Sequence, residues 1–242
     1  MNTIVDFKEG DRLTTNNSGD IIVVSILPRS KVLCRFEDGT EAVFSKGNVL
    51  SGSIGNPFKP VTFGVGYRGV GPFKQHKEKS YEYWSKMLQR SYCDEYKKIH
   101  PTYQGVKTWD EWHNYQVFAE WVTKRKQYPR FGFNLDKDLI IPGNKLYHPD
   151  NCSLVPQHIN NLTVRKAART QNLPQGVTKI DGKYVAKCRY LGVEHYLGYF
   201  ETQEEASESY RVFKKQIIVD AANRYREDLD DFVYEALLNF EV

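Results

Sequence analysis

The chain has 242 residues, 40% of them hydrophobic and 26% charged, with a net charge of +4, a makeup ordinary for a globular protein of one large domain or two to three small ones. No apolar run approaches the ~20 residues that span a bilayer, and MNTIVDFKEGDR lacks the basic-then-apolar order of a secretory leader, so a cytoplasmic protein without a membrane partner is expected. The charge is mild in total but uneven: Arg165, Lys166, Arg169, Lys179, Lys183, Lys187 and Arg189 are opposed only by Asp181 and Glu194, while acidic residues gather after Thr202. Cys34, Cys93, Cys152 and Cys188 lie far apart without zinc-ligand spacing, as buried thiols of a reducing compartment would.

The first strand-like runs are DIIVVSIL, KVLCRFEDGT with its Asp-Gly turn, and EAVFS before the turn residues KGNVLSGS. They predict a small, bent antiparallel sheet or barrel over residues 1 to 58. GNPFKPVTFGVGYRGVGPFK is rich in Gly, Pro and aromatics without either periodicity, and reads as a linker or packed loop. Two helices follow. In the first, Tyr81, Trp84, Met87, Leu88 and Ser91 recur at helical spacing behind Ser80 as N-cap; in the second, Thr108 and Glu111 stand at capping-box spacing and Trp112, Tyr115, Phe118, Ala119 and Val122 share a face. Stripes at this period are expected to be core, ahead of a base-stacking role.

LDKDLI and CSLV then read as short strands around the turn-rich GNKLYHPDN, and PQHINNLTVRKAAR opens a helix with Pro156. In the last region QGVTKI, KYVAKCRYL and VEHYLGYF read as three strands, the first two joined at Asp181-Gly182, before a long amphipathic helix capped by Thr202 with Glu205 three residues on. Period two puts Ala186 and Cys188 on one face of the middle strand and Val185, Lys187 and Arg189 on the other. Ala206, Tyr210, Phe213 and Ile217 line up on the helix to meet the small face, which leaves Lys187 and Arg189 for solvent or a partner.

Two resemblances rest on these residues. Gly176-Val177, the run Gly182 to Arg189, Tyr196-Leu197-Gly198-Tyr199-Phe200, and Thr202 with Glu204-Glu205-Ala206 and Tyr210 resemble the Apetala-two/ethylene-response-factor type of DNA-binding domain, over about 45 residues. That resemblance implies a sheet laid in the major groove, with Lys187 and Arg189 contacting bases or phosphates beside Thr178, Lys179, Lys183 and Tyr196. The first strand carries Thr178 and Ile180 where the plant proteins carry arginines, which implies a different or weaker sequence preference. The strand, loop, strand, helix order from Leu135 on resembles the ββα-metal finger of HNH endonucleases, and with the preceding helices most of the chain is similar to phage-borne HNH homing endonucleases carrying such a C-terminal domain. Asp136 matches the finger's aspartate, Asn151 its loop asparagine and Asn160 its helix ligand.

The resemblance implies magnesium or manganese on Asp136 and Asn160, since a hard cation takes oxygen ligands and keeps waters. Lys137 stands where the family has its histidine base. Flanked by Asp136 and Asp138, a lysine stays protonated and is expected to stabilise the phosphate instead. His148 in the loop, or a hydroxide on the metal, is the substitute base; His158, two residues from Asn160 on a helix, should point elsewhere. The expected fold is thus α+β: a small β domain (1 to 58), a helical nuclease region with the ββα-metal finger (59 to 170), and a three-stranded sheet packed on a long helix (171 to 242). The expected function is a monomeric, nicking, site-directed endonuclease of double-stranded DNA. The alternative is a DNA-binding protein with a weakened finger that occludes or regulates its target.

Overall fold

The computed structural model describes residues 6 to 75, 78 to 164 and 173 to 242. It is a mixed α+β fold, and the chain falls into two compact units, residues 1 to 93 with 110 to 119, and residues 94 to 109 with 120 to 242. Among the described residues no helix is long and apolar enough to cross a membrane.

In the first unit β1 (Arg12–Thr14), β2 (Asp20–Leu27), β3 (Lys31–Phe36) and β4 (Glu41–Ser45) form an antiparallel meander in chain order. Alternation fixes which side is buried: Val32, Cys34 and Phe36 point inward with Ile21, Val23 and Ala42. KGNVL, expected as a turn, is instead the short helix α1 (Lys46–Leu50), because Ser45 caps it by accepting from the Asn48 N–H and Val49 anchors it in the core. Helix α2 (Lys79–Tyr92) follows, with Trp84, Met87 and Leu88 fully buried. Ser80 is not its N-cap. Glu78 holds that position, and the buried Ser80 hydroxyl is hydrogen-bonded to Tyr115 Oη at 2.8 Å. Gly66 lets the preceding loop lie against this helix, since a Cβ there would meet Leu88 Cδ1 at 2.4 Å and Trp84 at 2.9 Å.

In the second unit α3 (Asp94–Ile99) leads to β5 (Lys107–Thr108). Thr108 is therefore a strand residue and not a helix cap; residues 110 to 119 belong to the first unit, where α4 (Tyr115–Thr123) begins only at Tyr115 after a 3-10 turn. Trp112, Tyr115, Phe118, Ala119 and Val122 are all fully buried, as their spacing predicts. β6 (Phe133–Asp136) and β8 (Ser153–Pro156) pair antiparallel, and between them β7 (Leu146–Tyr147) pairs parallel with β5. Helix α5 (Gln157–Thr163) completes the strand, loop, strand, helix order.

β9 (Val177–Ile180), β10 (Lys183–Tyr190) and β11 (Val193–Phe200) form a second antiparallel sheet, order β11-β10-β9. Asp181-Gly182 turns the first hairpin with both residues at positive φ, and Leu191-Gly192 turns the second in the same way. Helix α6 (Gln203–Arg224) opens with the Thr202–Glu205 capping box and packs Ala206 against Val177 and Ala186. Gly176 permits the close approach of β9, since a Cβ there would meet the Tyr210 ring at 2.1 Å. On α6 the buried position next to Tyr210 belongs to Lys214, whose ammonium lies over the Tyr210 ring, while Phe213 is only half-buried and stacks on His195. Helix α7 (Asp231–Leu238) packs back on α6 through Val233 and Leu237.

Candidate active site and nucleic-acid interface

β6 ends at Asp136, earlier than the run LDKDLI suggests, because the carboxylate itself turns the chain. Asp136 Oδ1 accepts the backbone N–H groups of Asp138 (2.9 Å) and Leu139 (2.7 Å), an Asx-type turn that peels the backbone off the ladder. Its other oxygen accepts no hydrogen bond among the described residues. Burial pushes the Asp136 carboxyl above the usual aspartate range, and the Asp138 charge adds to this, against the two backbone N–H groups and Lys137. Directly across the ladder stands Ser153, fully buried, whose hydroxyl has no partner among the described residues. A fully buried hydroxyl without a partner among the described residues thus stands across the ladder from a half-buried carboxylate with one oxygen free of hydrogen bonds there.

Lys137 is 5% exposed. Its ammonium donates to both Asp138 oxygens (2.7 and 2.8 Å) and to the Asn144 carbonyl (2.5 Å), while the Asn144 amide donates back to the Lys137 carbonyl (2.9 Å). The side chain braces the loop from the inside and does not present its charge to solvent. His148 lies against the Trp109 ring at 4.9 Å between centroids, and its Nδ1 accepts the Asp150 N–H at 3.3 Å. With Nδ1 accepting, a neutral ring carries its proton on Nε2, so it offers a donor there; abstracting a proton through Nε2 requires the other tautomer. The Asn151 N–H donates to the His148 carbonyl, as does that of Cys152, in a tight turn. Cys152 is buried beneath it, and the desolvation that pushes its thiol up is modulated by the charges of Asp136, Lys137 and Asp138. The turn and the end of β6 thus converge on Cys152.

Asn160 sits one turn into α5, half-buried, with no side-chain hydrogen bond among the described residues. Among those residues no three His, Cys, Asp or Glu side chains are grouped to hold a metal. Asp136, with one oxygen free of hydrogen bonds among the described residues, and Asn160, with its amide likewise free there, each offer an oxygen of the kind a hard cation takes. His158 lies against Tyr225 (5.2 Å) and Tyr190 (6.2 Å), and burial with the Arg224 charge holds its imidazole below the usual range.

The pairing of β9 to β11 sorts the remaining candidates. Val185 is flanked by Thr178 and Tyr199, Lys187 pairs with Tyr196, and Arg189 with Glu194, so these residues share the sheet face opposite α6. Val185 is on this face, as its period requires, yet is buried among its neighbours. Lys179 pairs with Tyr184 and holds its ammonium over that ring at 5.2 Å, on the α6 side, apart from Lys187 and Arg189. A bulge skips Leu197, so Tyr196 and Tyr199, three residues apart, fall on the same face with rings 5.7 Å apart and both more than half exposed. Arg165, Lys166 and Arg169 lie outside the described residues.

Three contributors escaped sequence reading. Ser153 is visible only through the register that sets it opposite Asp136, Trp109 meets His148 across a long sequence separation, and Tyr199 reaches the Tyr196 face only through the bulge. In comparisons with known proteins, the chain matches no family model, no curated protein and no solved structure.

Proposed function

We propose that this protein is a metal-dependent, nicking DNA endonuclease of the HNH homing type, in which the β9–β11 sheet selects the site and the β6–β8–α5 finger cuts. The observation that carries the reading is the half-buried Asp136 carboxylate, one oxygen fixed by two backbone N–H groups and the other free of hydrogen bonds among the described residues, at a position paired across the ladder with Ser153 and its unpartnered hydroxyl. Asp136 and Asn160 would hold magnesium or manganese, and such an ion supplies charge stabilisation at the scissile phosphate and its leaving oxygen. The Asx turn fixes the Asp136 carboxylate in one orientation. Lys137 ties its loop together through Asp138 and the Asn144 carbonyl, and His148 and Asn151 follow in a tight turn closed by two N–H groups on the His148 carbonyl. His148 would act in proton transfer through Nε2, as a donor in the tautomer that the Asp150 N–H sets and as a base only once that contact is released. One finger per chain cuts one strand.

The exposed sheet face supports the double-stranded DNA partner: cations and tyrosines stand together on a two-residue pitch that a groove ~12 Å wide admits. The buried Lys137, ion-paired to the exposed Asp138 in the place the HNH pattern gives to its base, favours a second reading as a DNA-binding protein with a disabled finger. The two readings part on incubation with a pool of supercoiled plasmids carrying random inserts, with magnesium or manganese. The endonuclease reading expects nicked circles that vanish in chelator. Binding without nicking under either metal selects the second.

A further inference from the structure

The cations on the open face of β9–β11 are largely answered by that face's own carboxylates. Lys187 Nζ lies 3.1 Å from Glu194 and Lys183 Nζ 2.5 Å from Glu201, and Glu194 also stands directly across the ladder from Arg189. Three cations, Lys183, Lys187 and Arg189, thus face two carboxylates, a balance of +1. Arg189 makes no ion pair among the described residues. Both pairs are well exposed, Lys187 and Glu194 at 41% and 59% and Lys183 and Glu201 at 54% and 75%. Exposed pairs of this kind add little to stability and exchange partners readily. Their consequence lies in the field before the sheet: a phosphate arriving there meets a nearly neutral surface and must displace a carboxylate to reach each lysine.

Building on the reading of this face as the DNA contact, we propose that Glu194 and Glu201 are specificity-determining residues that suppress binding to arbitrary duplex, with Glu194 accepted in the groove over a cytosine. A carboxylate carried into the groove is repelled by flanking phosphates and left desolvated unless a donor meets it, and the cytosine N4 amino group is such a donor in the major groove. Arg189 beside it suits the O6 and N7 of guanine. The pair therefore penalises wrong sequences as well as contacting the right one.

The test uses the full chain and two fluorescent duplexes, one of random sequence and one enriched from a random library for tight binding. Dissociation constants are measured against salt for wild type, Glu194→Gln, Glu201→Gln and Lys187→Ala with Arg189→Ala. Each glutamine substitution keeps the shape and frees one lysine for a phosphate, so the slope of log affinity against log salt should steepen by ~0.9, equivalent to about eightfold tighter random-duplex binding near ~0.1 M salt. The enriched duplex should gain less, and for Glu194→Gln the preference for cytosine at one position should relax. Unchanged random-duplex affinity and slope in both glutamine variants, with binding still lost in the Lys187 and Arg189 variant, overturns the role of the glutamates and leaves the DNA reading of the face intact. If the Lys187 and Arg189 variant also binds as wild type does, the face is not the DNA contact and both readings fall.

Discussion

Burying an ammonium stabilises a fold only when partners replace its water, and Lys137 has three such hydrogen bonds, two to Asp138 and one to the Asn144 carbonyl. Lys137→Met leaves the Asn144 carbonyl without its donor and should cost about 1–3 kcal/mol in denaturant unfolding, with DNA affinity and its salt slope unchanged. A slope lowered by ~0.9 with stability intact would instead make Lys137 the phosphate contact that its place in the sequence suggests. The sequence made Lys137 conspicuous as a lysine flanked by two carboxylates. What it concealed is that Asp138 alone forms the ion pair, Asp136 being spent on its own turn, and that the chain reverses near Gly143 to bring the Asn144 carbonyl within reach. Ser153 is hidden for the same reason: a small hydroxyl in an apolar strand signals nothing until the register is known.

Elements whose signals are local were readable, and those settled by tertiary partners were not. Asp181-Gly182 and the Thr202–Glu205 box lie within a few residues of what they control, so the last sheet and helix follow from them. Ser80 and Thr108 carry equally good capping chemistry, but Tyr115 takes the one hydroxyl and β7 pairs with the strand that holds the other. The packing of α5 is another long-range result, with His158 against Tyr190 and Tyr225. Because burial and Arg224 lower the folded His158 pKa below its unfolded value of ~6.5, the unfolded chain takes up the proton first. The stability this contributes is present above ~6.5 and is lost as pH falls from there toward the lowered folded value. Unfolding free energy measured from pH 7 to pH 5 should therefore fall more steeply for wild type than for His158→Gln, whose lost ring contacts give a pH-independent offset. Parallel curves would show that His158 does not carry the acid sensitivity; His113, also lowered by burial, would then be the next group to replace.

Within the unit formed by residues 94 to 109 and 120 to 242, the finger and the three-stranded sheet are packed as neighbours: α5 lies on α6, and Phe133 and His158 both meet Tyr225. The strand, loop, strand, helix segment that carries Asp136 and the sheet presenting cations and tyrosines thus belong to one compact unit, as the proposed nuclease requires. The separation of tasks it implies can be measured in one experiment. Wild type and Asp136→Ala are compared on the same enriched, supercoiled DNA, with nicked circles quantified on a gel and affinity by mobility shift. The proposed mechanism predicts nicking by wild type in magnesium or manganese, none in chelator, and none by Asp136→Ala, with affinities in chelator within about twofold of each other because the contacts that position the protein on DNA lie on the sheet. Undiminished nicking by Asp136→Ala, or by wild type in chelator, would contradict it.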